Sequence, residues 1–232
     1  EVDIPMRDGV KLHAVLIVPR GAIGAPILLD RTPYDAGKAT DRTRSAHADM
    51  TVSPRDSLFV QTGYIVAYED VRGKYGSKGD YVNERPLRGP DNPTNVDHST
   101  DAWDTIDWLI KNVKETNGRV GLIGSSYDGM MVVMALIHPH PALRAAVAAN
   151  PVINTWMGDD DFHGGAMRLI NYDYYFEQES VRGDGGDLWR AAYDDYDTFL
   201  RAGSASGFVR AWGLDQLPYV RRLHDHPAYD TY

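Results

Sequence analysis

The sequence predicts an α/β chain: a mainly parallel sheet with helices on both faces, followed by a helical region. Three observations predict it. From Pro26 to Val152, short apolar runs alternate with helical patterns in the order strand, helix, strand, helix, strand, helix, strand. That alternation builds parallel sheets. The stretch Arg119 to Gly129 reads as a strand, a tight turn and the start of a helix. After Val152 the chain turns rich in Asp, Tyr, Trp and Arg, with helical spacing and no convincing strand.

The elements follow in order. Val2, Ile4 and Met6 alternate, Arg7-Asp8-Gly9 makes a turn, and Lys11 to Val18 resumes as strand, so the chain opens on a hairpin. Pro26 to Leu29 is a short apolar run of the kind that fills a central strand, with a loop at its end. Ser53 caps a short helix to Gln61, with Pro54 at its first position. Tyr64 to Tyr68 is a further strand. Glycine, proline and charge dominate from Lys74 to Pro93, which predicts a long surface loop. His98 to Val113 is an amphipathic helix that Ser99 or Thr100 can cap, with Asp101 and Asp104 suited to its positive end. Met130 to Ile137 reads as a buried helix, and Leu143 to Val152 as a strand. Asp187 to Leu200 and Ser206 to Trp212 are the best later helices. A boundary near Pro151 divides the chain into an α/β core, 1–151, and a helical cap, 152–232.

Composition bounds the function. The chain has 232 residues, 43% hydrophobic and 25% charged, enough for one large domain or one domain and part of a second. Lys+Arg 24 against Asp+Glu 33 gives a net charge of −9, which argues against nucleic acid as the main partner. The absence of cysteine excludes disulfides, thiolate zinc sites and a cysteine nucleophile. No stretch is apolar enough to span a bilayer. No signal peptide is present, and the chain opens on Glu1-Val2-Asp3 without methionine, so an upstream segment is expected to have been removed or omitted. Neither glycine-rich stretch implies a cofactor. Val120–Gly129 lacks G-x-G-x-x-G, and Gly73–Gly79 lacks the G-K-[ST] ending of a phosphate loop.

The turn at Gly124-Ser125-Ser126-Tyr127-Asp128-Gly129 has the layout of a nucleophile elbow. A serine on a sharp strand-to-helix turn occupies a strained backbone, and small neighbours let strand and helix approach. Its oxygen lies beside a helix N-terminus, whose free N–H groups stabilise negative charge. The pattern departs from G-x-S-x-G, because Asp128 stands two after Ser126 and Gly129 comes third. Centring on Ser125 fits worse, with Ile123 in the first glycine position, so Ser126 is the candidate. The alternative is a βα turn that uses glycine and serine for geometry alone.

A base is not legible. His138 and His140 sit at the far end of the elbow helix, roughly 18 Å or more from Ser126 at the helical rise, and suit helix-end capping. His47 and His98 precede the serine, whereas the usual order is serine, acid, histidine. His163, His224 and His226 follow it without a preceding strand. A second notable stretch, Trp156-Met157-Gly158-Asp159-Asp160-Asp161-Phe162-His163, places three acids after a predicted strand. Ligands bind beyond such strand ends, and a bound cation would relieve the crowding. Local sequence alone favours a solvated acidic loop.

These residues together carry a resemblance. Gly124-Ser125-Ser126-Tyr127-Asp128-Gly129 resembles the G-x-S-Y-x-G motif of α-amino acid ester hydrolases, grouped with cocaine esterase, glutaryl acylase and X-prolyl dipeptidyl peptidases. The likeness extends through Arg31-Thr32-Pro33-Tyr34, Asp70 to Ser77, Asp97 to Asp104 and Trp156 to Asp160, and covers most of residues 1 to 170. It implies an α/β-hydrolase fold with a helical cap. It implies Ser126 as the acylated nucleophile, the backbone N–H of Tyr127 and the phenol of Tyr34 as an oxyanion hole, and Asp160 within a carboxylate cluster for a substrate α-ammonium group. No cofactor or metal is implied. The substrate would be a small-molecule amino acid ester or β-lactam, with no nucleic acid or membrane partner.

The resemblance also implies that the catalytic aspartate and histidine, the other cluster carboxylates and a C-terminal jelly-roll domain lie beyond Tyr232. The 232 residues alone are then expected to be inactive. A homo-oligomer in the periplasm is implied. X-prolyl peptidase or general esterase activity, or a non-catalytic binding or assembly module, are the alternative functions.

Overall fold

The computed structural model describes residues 1–230 apart from 42, 44, 159, 186, 187 and 190–192. The chain divides into two compact units, Glu1–Val152 and Ile153–Tyr232.

The first unit is built on six strands. β1 (Val2–Pro5) and β2 (Lys11–Ile17) form the expected antiparallel hairpin, with Val2 opposite Ala14. β3 (Ala25–Thr32) leads to a short α1 (Ala36–Ala39), then α2 (Pro54–Gln61) and β4 (Ile65–Asp70). α3 (His98–Asn112), β5 (Thr116–Ser125), α4 (Tyr127–Ile137) and β6 (Leu143–Ala149) complete it. The sheet order is β1-β2-β4-β3-β5-β6. β2 meets β4 antiparallel, and β4, β3, β5 and β6 run parallel.

This order puts β3 at the centre, with Thr32 opposite Asp70 of β4 and Leu29 opposite Leu122 of β5. The loops after β3, β4 and β5 therefore gather at one carboxyl edge, where open α/β sheets bind ligands. Ile27, Leu29, Ile65, Ala67, Val120 and Leu122 are buried with Ile106 and Leu109 of α3 and Val132 of α4. Burial on both faces explains why these strands read as continuous apolar runs rather than alternating ones. β6 is the exception. It lies at the edge, and most of it is exposed, including Val147.

Two local expectations are corrected. The cap of α3 is Asp97, whose carboxylate accepts from Ser99 and Thr100 N–H at 2.9 Å each while the Thr100 hydroxyl accepts from Asp97 N–H. Burial raises the Asp97 pKa, but the bonds from Ser99, Arg88 and Thr100 outweigh it and hold the carboxyl at about 2. Asp101 lies in the first turn of α3 as expected and also pairs with Arg72, while Asp104, beyond that turn, pairs with Arg7. The segment from Lys74 to Pro93 is a loop, as expected, but only part of it lies at the surface. Lys74, Ser77, Asn83, Arg85 and Asn92 are buried, because polar residues here find partners inside the unit. Asn92, for example, donates to the carbonyls of Pro86 and Val96.

The second unit holds a two-stranded ribbon, β7 (Phe162–His163) and β8 (Ala166–Met167). That corrects the expectation of no strand there. The Gly164-Gly165 pair supplies the tight turn, both at positive φ. α5 (Asn171–Ser180), α6 (Asp195–Ala202), α7 (Ala205–Ala211) and α8 (Pro218–Asp225) follow. Tyr172, Tyr175, Phe208, Leu214, Tyr219 and Val220 form their core. Of the helix expected from Asp187 to Leu200, the described part begins at Asp195, and residues 187 and 190–192 lie outside the described residues.

Candidate active site

Ser126 sits between β5 and α4 with φ 59° and ψ −120°. A side chain at positive φ is strained, and here the surroundings impose it. Ser126 N–H donates to Ala149 O of β6 at 3.0 Å, and Ser126 O accepts from Met130 N–H at 3.0 Å and Val152 N–H at 3.3 Å. The strand-to-helix reversal is so tight that a β-carbon on Gly124 would come within 2.3 Å of Asp128 O. One on Gly129 would come within 2.9 Å of Ala149 O. This is why the glycine two residues before the serine and the one three residues after it are both needed. Ser126 is exposed and its side chain does not cap the helix.

Tyr127 opens α4, so its N–H is among the helix donors without an intrahelical acceptor. Its ring is buried, and its hydroxyl accepts from Glu84 N–H at 3.2 Å. Burial pushes its pKa up. The ring also meets His98 edge-on, with centroids 6.4 Å apart. Tyr34 follows the end of β3, the strand beside β5, and is 40% exposed. It lies near enough to Tyr127 to act electrostatically on its phenol. Two of the proposed site residues thus stand at the ends of adjacent parallel strands.

The turn that carries Tyr34 is anchored at several points. Tyr34 N–H donates to Thr32 Oγ1 at 3.1 Å. Asp35, at φ 75°, caps α1 by accepting from Gly37 and Lys38 N–H. Ala36 N–H donates to Asp70 Oδ1 at 2.7 Å.

Below the elbow lies a buried acidic group that sequence reasoning missed. Asp128, in the first turn of α4, has Oδ1 buried without a hydrogen-bond partner, as has Asp30 near the end of β3. Burial raises the pKa of Asp128, Asp30 raises it further, and Thr32 and Arg55 oppose. Burial likewise raises Asp30, against Arg55, whose Nη2 lies 3.1 Å from Asp30 Oδ2. Arg55 also binds Asp56, which accepts from the Tyr68 hydroxyl. Asp128 is the residue that made the motif look irregular.

No histidine hydrogen-bonds the Ser126 hydroxyl among the described residues. His13 Nδ1 lies 2.8 Å from Asp70 Oδ2. His140 is buried, accepts from Ala142 N–H and packs on Trp103. His98 is buried with neither ring nitrogen hydrogen-bonded, and burial holds its pKa well down. His224 joins Tyr172 and Ser206, and His226 joins Asp230.

In the second unit, Asp160 is half-exposed and pairs with Arg168 at 2.8 Å, and its carbonyl accepts from Asn171. Asp161 is the buried acid of this stretch and accepts from the Tyr219 hydroxyl at 2.8 Å. Asp159 lies outside the described residues. Among the described residues, no cluster of three histidines or carboxylates is arranged to hold a metal ion.

Comparison with known proteins places this geometry in context. The sequence profile of the X-Pro dipeptidyl-peptidase (S15) family matches residues 8–232. A solved α-amino acid ester hydrolase, labelled with selenomethionine, is 59% identical with a TM-score of 0.96, over 100% of this chain and 38% of its own. An aminopeptidase from a marine sediment Thaumarchaeota archaeon is 45% identical with a TM-score of 0.94, over 99% of this chain and 38% of its own. Cocaine esterase of Rhodococcus sp. (strain MB1 Bresler) is 33% identical over 144 residues, 62% of this chain and 22% of its own length. The chain therefore spans well under half the length of these relatives.

Proposed function

The chain belongs to the X-Pro dipeptidyl-peptidase (S15) family of hydrolases and has an α/β-hydrolase fold, and from that premise we propose that the complete protein is a serine hydrolase of α-amino acid esters and β-lactam amides. The observation that carries the reading is the strained, exposed Ser126 at the N-terminus of α4, with Tyr34 at the end of the neighbouring strand. The 59% identity to an α-amino acid ester hydrolase favours that substrate class.

In this reading Ser126 Oγ adds to the substrate carbonyl carbon and gives up its proton to a base in the rest of the protein. The oxyanion forms between the Tyr127 N–H and the Tyr34 phenol, each contributing about 3 kcal/mol. Collapse expels the alcohol or amine, protonated by the same base, and leaves an acyl-Ser126 ester. Water then releases the acid, or a β-lactam amine captures the acyl group. Asp160 draws the substrate's α-ammonium group. Because Arg168 already pairs with Asp160, the ammonium must displace or share that partner. A periplasmic homo-oligomer belongs to the same proposal.

The test is covalent. A serine-reactive phosphonate should label Ser126 in the complete protein, and Ser126→Ala should abolish labelling and turnover. A correctly folded complete enzyme that takes no label would remove the mechanism. The second reading, X-prolyl peptidase, is motivated by the family profile. Turnover of phenylglycine methyl ester against a Gly-Pro anilide separates the two.

A further inference from the structure

Pro33-Tyr34-Asp35 crosses from β3 to a helix only four residues long; Pro33 is buried, but Tyr34 itself is 40% exposed. A phenol that serves as a donor must be held to within about half an ångström, so something else must aim it. Asp70 is placed to do so. It ends β4 directly opposite Thr32, which ends β3, and its side chain is 1% exposed.

Each oxygen of that carboxylate has a separate task. Oδ1 accepts from Ala36 N–H at 2.7 Å, two residues past Tyr34. Oδ2 accepts from Gly76 N–H at 3.2 Å and lies 2.8 Å from His13 Nδ1 on β2. An ionised carboxylate only accepts, so Nδ1 is the protonated nitrogen in this pairing. The backbone is locked as well. Ser77 Oγ donates to Asp70 O at 2.5 Å and accepts from His13 N–H at 2.8 Å, and Val71 N–H donates to Thr32 O at 2.9 Å. The Tyr34 turn is thus tied through one buried side chain to β2 and to the loop after β4.

We propose that Asp70, oriented by His13, is the positioning residue for Tyr34, holding the β3–α1 turn so that the phenol meets the developing oxyanion. This rests on the reading of Tyr34 as an oxyanion donor. Asp70 does not touch the substrate and works only through that turn.

A double-mutant cycle in the complete protein tests it. Asp70→Asn keeps the volume but turns an amide towards either the Ala36 or the Gly76 donor. In the Tyr34 background it should lower kcat for phenylglycine methyl ester by about ten- to a hundredfold with little change in KM. In the Tyr34→Phe background the same substitution should change kcat less than about twofold. Where Asp70→Asn does not fold, His13→Gln takes its place, with a smaller loss that also vanishes in the Phe background. An equal loss in both backgrounds overturns the Asp70 assignment alone. No effect of Tyr34→Phe by itself overturns the oxyanion reading of Tyr34, and this inference with it. Complete labelling of Ser126 in every variant, slowed in those lacking Tyr34 or Asp70, supports an intact elbow with a misaligned oxyanion donor, whereas labelling at the unaltered rate in Tyr34→Phe overturns the oxyanion reading.

Discussion

Gly124 and Asp128 approach so closely that a β-carbon on the glycine would meet the Asp128 carbonyl oxygen at 2.3 Å. The contact is with backbone, which cannot swing aside as a side-chain tip can. Gly124→Ala should therefore pry α4 from β5, at a cost of roughly 1–3 kcal/mol. Thermal unfolding should show a lowered midpoint, and phosphonate labelling of Ser126 should slow more than stability alone accounts for. An unchanged midpoint would mean that the turn relaxes freely.

The acidic pair below the elbow makes stability depend on pH. Burial above all raises Asp30 and Asp128 above the ordinary carboxylate range, helped at Asp30 by Asp56 and at Asp128 by Asp30, so the folded state holds protons that the unfolded state has lost. The sign is fixed by linkage. Stability falls as pH rises from about 4 through neutrality, and levels off once both carboxyls ionise in the folded state. Asp128→Asn should flatten this slope and raise the melting midpoint more at pH 8 than at pH 5. Denaturation at several pH values checks it, and parallel curves for the two proteins would contradict it.

Arg168 competes for the carboxylate assigned to the substrate ammonium. Both side chains are about half exposed, Arg168 45% and Asp160 51%, so the pair is weak and screened by salt. Arg168→Gln in the complete protein should lower KM for α-amino esters about two- to threefold at low salt, with a smaller gain at high salt. Acetyl esters should not respond. A raised KM would show that Arg168 supports the site instead of opposing it.

Arg31 and Glu69 form an ion pair with no exposed side-chain surface, Nε to Oε1 at 2.6 Å. Glu69 also accepts from the Thr105 hydroxyl, and Arg31 donates to His98 O. Glu69→Gln would strand a buried guanidinium, costing about 3–5 kcal/mol. Replacing both residues with apolar ones of similar volume should recover most of that loss in chemical denaturation. No recovery would show that the pair contributes net stability.

What the sequence disclosed was local. Ser53 and Pro54 announce α2 because capping depends on neighbours in the chain, and the Ser53 side chain does accept from Asp56 N–H. Gly124 and Gly129 announce the elbow because the close approach involves residues within the same turn or just beyond it. The failures are long-range. The stretch after Lys74 looks solvated, but Ser77, Asn83, Arg85 and Asn92 within it are buried, and Ser77 Oγ accepts from His13 N–H, 64 positions away on β2. His13 and Asp70 stand 57 positions apart, and nothing in either neighbourhood names the other. Asp128 looked like a motif defect because its crowding with Asp30 arises only when β3 and α4 are packed.

β6 has one further consequence. It lies at the margin of the sheet with an alanine-rich surface largely open to water, so its outer row of amides and carbonyls is available to any extended segment. A preparation of these 232 residues alone should show concentration-dependent self-association, with light scattering rising before any loss of helical signal.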